Sequence, residues 1–153
     1  GKADAELVRT KVVENKFKNL KRVNFPIDKI NFRALSLNPE INNVKISELI
    51  EKSIAYKRGF FVLEKIFKNN KRANRLTNSE QIFRMVLNKR ADFGIVLTRT
   101  FGKFTLKPEF KKIRIIKTNI PNSNLYHYIN RKHEKLAPKM IDTLKKMKED
   151  KFF

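Results

Sequence analysis

The side chains with most chemistry to offer are arginines and hydroxyls that follow short apolar stretches. Arg58-Gly59 comes after Ser53-Ile-Ala-Tyr56, which has the character of a strand, and before the helical run Phe60 to Phe67. At a strand-to-helix turn the free backbone N–H groups favour a carboxylate or another anion, and an arginine adds a planar fork of donors. An ordinary turn carrying a solvated arginine accounts for the same residues. No Gly-x-x-x-x-Gly-Lys-Ser/Thr pattern occurs, so the turn is not a P-loop. Thr98-Arg99 closes the apolar stretch Phe93 to Leu97, and Arg9 closes a similar stretch near the start. His127 and His133 make a poor metal pair, one in a strand and the other at a helix start, with no third ligand in place. Glu48 with Glu51, and Glu149 with Asp150, are paired acids in sequence only. No nucleophile stands beside a base. The expectation is a protein without catalytic residues, metal or cofactor, and not an enzyme.

The elements that must position these residues are organised around Ser79 to Thr100. Ile82, Phe83, Val86 and Leu87 share one helical face, Ser79 suits the N-cap, and Glu80 favours the positive end of the helix dipole. After the basic corner Asn88-Lys89-Arg90, Phe93 to Leu97 has the pattern of a strand buried on both faces. Strand, helix, strand, helix, strand across 53–97 predicts parallel pairing with right-handed crossovers. Upstream, Ile30 to Leu37 alternates apolar and polar residues, which predicts a strand with two unlike faces. Gly102 to Phe110 reads as a loop, Ile113 to Ile116 and Leu125 to Ile129 as strands, and Ile120 to Asn124 as a linker. His133 to Glu149 predicts an amphipathic helix with Leu136, Met140, Leu144 and Met147 inward and Pro138 in its first turn. Gly1 to Thr10 echoes the corner at 89–100: Lys before Ala-Asp, an apolar stretch, then Arg-Thr. The echo hints at two similar lobes.

Composition bounds the reading. A chain of 153 residues with 41% hydrophobic residues and 13 Phe can bury a core. With no cysteine there is no disulfide or thiolate chemistry. No apolar run approaches the roughly 20 residues needed to cross a bilayer, and no signal peptide opens the sequence. The net charge is +21, yet Lys and Arg never run beyond two in a row. Scattered charge of this kind suits solvated faces better than a dedicated nucleic-acid site. The densest region, Asp92 to Glu134, has nine Lys or Arg against Glu109 alone. A basic nucleic-acid-binding α/β protein is therefore kept as the alternative.

Four segments in register carry a family resemblance. Tyr126 to Asp150, with its returning strand, Lys-His turn and final helix, resembles the end of bacterial family 3 solute-binding proteins. Ile46 to Gly59 resembles that family's entry into its second lobe. Asn88 to Asp92 resembles its Gly-Arg-Val-Asp corner, with Asn88 in place of Gly, and Gly1 to Glu6 resembles the matching corner of the first lobe. The resemblance implies an α/β fold of the periplasmic-binding-protein-like type II, two lobes with mainly parallel sheets. Residues 1–37 would be a remnant of lobe one with a hinge strand, 38–119 lobe two, and 120–153 the return strand and final helix of lobe one. It also implies a fragment lacking the start of lobe one, which on its own should bind solute poorly. The implied role is that of a periplasmic or extracytoplasmic receptor for an ABC permease or a signalling domain, monomeric and without nucleic acid. Its ligand would lie in the cleft against Arg9, Arg58, Gly59, Phe60, Thr77, Thr98 and Arg99. Amino-acid-binding members place an Asp just after the lobe-two strand, where this chain has Leu97-Thr98-Arg99. That departure favours a polar or anionic solute over a standard α-amino acid. Asp92 reads as a structural corner residue.

Overall fold

The computed structural model describes residues 3–153, without the side chain of Lys103. The Gly1-Lys2 start of the echoed corner lies outside the described residues. In chain order the elements are β1 (Ala5–Arg9), α1 (Val13–Lys16), β2 (Leu20–Arg22), β3 (Asp28–Ile30), β4 (Phe32–Ser36), β5 (Asn43–Val44), α2 (Ile46–Leu49), β6 (Ile54–Lys57), α3 (Phe61–Ile66), β7 (Ala73–Leu76), α4 (Ser79–Leu87), β8 (Phe93–Leu97), α5 (Gly102–Thr105), β9 (Arg114–Thr118), β10 (Ser123–Asn130) and α6 (Ala137–Glu149). They form two compact units, Gly1–Ile30 with Asn122–Phe153, and Asn31–Pro121.

The second unit is built on a six-stranded sheet in the order β5-β9-β4-β8-β6-β7. As the alternation of strands and helices requires, β6 pairs parallel with both β7 and β8. The expectation of mainly parallel sheets is corrected elsewhere: β4 runs antiparallel to both β8 and β9, so the sheet is mixed. Its central place also corrects the expected two unlike faces of 30–37. Phe32, Ala34, Leu35 and Ser36 are all buried, because neighbours on both edges and cover on both faces leave no solvent side.

Helix α4 packs as its spacing predicts, with Ile82, Phe83 and Val86 buried against Leu35, Ala55 and Val96. Each such side chain contributes about 1.5–3 kcal/mol by leaving water. The helix starts at Asn78, whose side chain accepts the Gln81 N–H, so the N-cap lies one residue earlier than Ser79. Stretch 102–110 is not the expected loop. It forms α5 and a 3-10 turn at Pro108–Phe110, because Phe104 stacks on Phe83 at 4.8 Å and Phe110 packs on the same ring at 5.2 Å. Asp92 acts as a corner: its Oδ2 accepts the Ser53 N–H at 2.8 Å, while the Asp92 N–H donates to Ser53 O at 2.8 Å.

The first unit has an antiparallel sheet, with β10 paired to β1, β2 and β3. Helix α6 covers it through Leu144, with Met140 and Met147 packed alongside, and Pro138 sits in its first turn. Leu136 departs from expectation: residues 131–136 form a 3-10 turn ahead of α6, and Leu136 at its end is half exposed (52%).

Candidate functional site

Sheet register brings most of the expected residues to one edge. Pairing of Lys57 with Leu76, and of Tyr56 with Ile95, sets the carboxyl ends of β6, β7 and β8 level. Arg58-Gly59-Phe60, Thr77 and Thr98-Arg99 are the residues that leave these three strands. Strand β4 enters at the same edge, since Phe32 pairs with Leu97. Arg9 ends β1 in the other unit, where it is ion-paired with Glu6.

Each strand end is held differently. The Arg58 N–H donates to Leu76 O at 2.9 Å, which continues the β6–β7 ladder by one residue. Gly59 then turns the chain at φ +93°, a left-handed conformation that glycine alone adopts without strain. Phe60 caps α3 with backbone only, and its ring meets Phe32 edge-on at 5.6 Å. The Thr77 hydroxyl donates to Gln81 Oε1 at 2.9 Å, and the Thr77 N–H reaches the same oxygen at 3.1 Å. With Asn78 taking the Gln81 N–H, the start of α4 is satisfied from within. The Thr98 N–H and hydroxyl both donate to Asn31 O, at 2.9 and 3.1 Å.

These bonds decide what the edge can offer. Both threonine hydroxyls spend their proton internally, which leaves lone pairs to accept from a ligand. Arg58, an exposed guanidinium, supplies donors. Behind the edge, the Tyr56 hydroxyl donates to Glu64 Oε2 at 3.2 Å and accepts from Arg75 Nε at 3.1 Å. Burial, chiefly, pushes the Tyr56 phenol up, so it stays neutral and ties α3 to β7.

Asn31 and Phe32 were missed by the sequence reading. The alternation at 30–37 revealed a strand, but nothing local told that it enters antiparallel beside Thr98. The histidines have separate surroundings: His133 Nε2 lies 3.1 Å from Asp4 Oδ1, and His127 lines a pocket of about 340 Å³ with Leu136 and Met140. Among the described residues no group of three or more His, Cys, Asp or Glu could hold a metal ion.

No protein-family model matches the chain. It is 28% identical over 160 residues to an uncharacterized protein of Shewanella oneidensis, matching 100% of this chain and 60% of that one. Among solved structures it is similar to the amino acid ABC transporter substrate-binding protein AbpA from Streptococcus pneumoniae bound to L-arginine. There the TM-score is 0.71 at 14% identity, over 98% of this chain and 64% of that one. It is also similar to a histidine kinase sensor domain resembling periplasmic binding proteins. The TM-score is 0.75 at 10% identity, over 98% of this chain and 66% of that one. The chain thus spans 60–66% of the length of these three proteins. At these identities the likeness speaks for architecture alone, and the chain has a periplasmic-binding-protein-like α/β fold.

Proposed function

We propose that this chain is a non-catalytic binding module for a small polar or anionic solute. Arg58, Gly59, Phe60, Thr77, Thr98 and Arg99 form its ligand-binding edge, and it serves an ABC importer or a sensor as an extracytoplasmic receptor. The observation that carries the reading is the convergence of three parallel strand ends, β6, β7 and β8, at one sheet edge. In open α/β sheets ligands bind outside the carboxyl ends of the strands. Arg58 suits an anionic group, and the acceptor lone pairs of Thr77 and Thr98 suit N–H or O–H donors on the same solute. Arg9, in the other unit, is an expectation of the family resemblance alone. The receptor role is supported by the names of the similar structures, a substrate-binding protein and a sensor domain.

The test is an amide NMR titration with amino acids, dicarboxylates, sugar acids, phosphate and sulfate. A true ligand shifts the amides of Arg58, Thr77 and Thr98 saturably. Arg58→Ala should weaken it by about tenfold or more, equivalent to about 1.4 kcal/mol. If no member of the panel moves these amides, or if Arg58→Ala leaves the affinity unchanged, the proposal fails.

A further inference from the structure

A second concavity lies at the other end of the same sheet, where β4 finishes and β8 begins. It has a volume of about 470 Å³, and Ser36, Asn38, Lys52, Lys89, Asp92 and Phe93 line it. That size suits a small ligand, since such sites span roughly 300–1,000 Å³. Its walls are pinned rather than loose. The reciprocal bonds between Ser53 and Asp92 hold the corner 88–92 against the residue after Lys52. Lys89 closes α4 in a left-handed turn at φ +56°, with the Arg90 and Ala91 N–H groups both on Met85 O.

The polar lining is donor-rich for a specific reason. Ser36, 3% exposed, accepts the Asn38 N–H on its Oγ at 3.1 Å. Asn38 Oδ1 accepts the Glu40 N–H at 2.9 Å, and Asp92 Oδ2 is occupied by Ser53. What these groups keep for a ligand is the Ser36 hydroxyl proton and the Asn38 amide protons, beside the ammonium groups of Lys52 and Lys89, whose two positive charges outweigh the one negative charge of the Asp92 carboxylate in the same lining. Leu37, Ile41 and Phe93 supply apolar wall. Donors and cations at the rim over an apolar wall match a molecule with one anionic head and one apolar arm. We propose that this pocket is a binding site for a small amphipathic carboxylate, its head between Lys52 and Lys89 and its arm against Ile41 and Phe93. The proposal is independent of the strand-end site, which lies at the opposite end of β8.

The experiment is an amide NMR titration with phenylacetate, run beside 2-phenylethylammonium, which has a similar arm and the opposite charge. Phenylacetate should shift Ser36, Asn38 and Lys89 to Phe93 saturably, leaving the Arg58, Thr77 and Thr98 amides in place, while the ammonium probe leaves both sets unmoved. The double variant Lys52→Gln/Lys89→Gln should weaken phenylacetate by about tenfold or more, and Lys145→Gln, on exposed α6 surface, should not change it. Equal shifts by both probes, shifts spread over lysines throughout the protein, no saturable shift at these amides, or an unaltered double variant would each overturn the assignment.

Discussion

Gly94→Ala tests the packing that holds β8, and with it Thr98, in place. Gly94 pairs with Leu35 on one side and Ala55 on the other, beneath α4. A Cβ built there would lie 2.7 Å from Ile82 Cγ2, 3.1 Å from Val86 Cγ2 and 3.2 Å from Leu35 Cδ1. Comfortable carbon–carbon contact is about 3.5–4.0 Å, so Ile82 must retreat by about 1 Å in a fully buried layer. Overpacking of this kind costs about 1–3 kcal/mol. Alanine returns about 0.5–1 kcal/mol through lost unfolded-state freedom, because the glycine is not in a left-handed conformation. With Ile82 displaced by about 1 Å the steric cost falls mid-range, about 2 kcal/mol, so a net loss of about 1–1.5 kcal/mol should appear as a lower urea midpoint with unchanged slope. Ile82→Ala provides the internal control. Alone it costs about 2–5 kcal/mol, but combined with Gly94→Ala the total should fall short of the sum by about 1 kcal/mol, since the clash is gone. A Gly94→Ala midpoint at or above that of the parent protein, or strict additivity in the double variant, would refute this account of the strand.

Three further outcomes follow from single groups. Gly59→Ala should cost about 1–2 kcal/mol for a different reason, because the new Cβ meets nothing within 4 Å and the whole penalty is the left-handed backbone; an unchanged urea midpoint would contradict it. Asp92→Ala removes the acceptor for the Ser53 N–H and should cost about 1 kcal/mol, read by the same denaturation, with Asp92→Asn recovering part; a midpoint equal to the parent's would remove the corner role. Burial, aided by the hydrogen bond to Glu14 at 2.9 Å, pushes the Tyr128 phenol up to about 12 from its ordinary 10. A raised folded-state value means that this contribution to stability is intact below pH 10 and is lost as the pH rises through 10 to 12. Ultraviolet titration of tyrosinate should show a late component that Tyr128→Phe diminishes by one tyrosine, the raised Tyr56 remaining; an undiminished late component in that variant would reassign the shift.

How much was legible in the sequence depended on whether the cause was local. The α4–β8 unit was readable because one helical face and one apolar run are each set by residues within a few positions. The parallel pairing across 53–97 was readable from element order alone. The burial of β4 on both faces was not, because Arg33 and Ser36 give it an alternating pattern, and its central position depends on β9, some eighty residues downstream. The helical turns at 102–110 escaped for the same reason. A loop-like composition is overridden by three phenylalanines whose rings meet only in the folded state. For the candidate edge, the types of residue were visible but their bonding was not. Thr98 could be placed at the end of β8 from the apolar run before it, but the commitment of its hydroxyl proton to Asn31 O could not, because Asn31 lies 67 residues away.

The commitment of the Thr98 proton to Asn31 O constrains the solute proposed for this edge. A site made only of arginines would select for charge and would take any small anion from a protein of net charge +21, with an affinity that salt erodes. Thr77 and Thr98 add acceptors that a bare anion cannot satisfy, since each hydroxyl proton is already committed to Gln81 or Asn31. A desolvated acceptor left without a donor costs about 1–3 kcal/mol, so simple anions should bind this edge worse than solutes that also carry N–H or O–H groups. The discrimination then comes from two hydroxyls rather than from the abundant positive charge. It should survive added salt, and Thr98→Val should cut it to what Thr77 alone provides while leaving the affinity for simple anions in place. A Thr98→Val protein that keeps its full preference for donor-bearing solutes would show that the hydroxyl serves the β8–Asn31 junction alone.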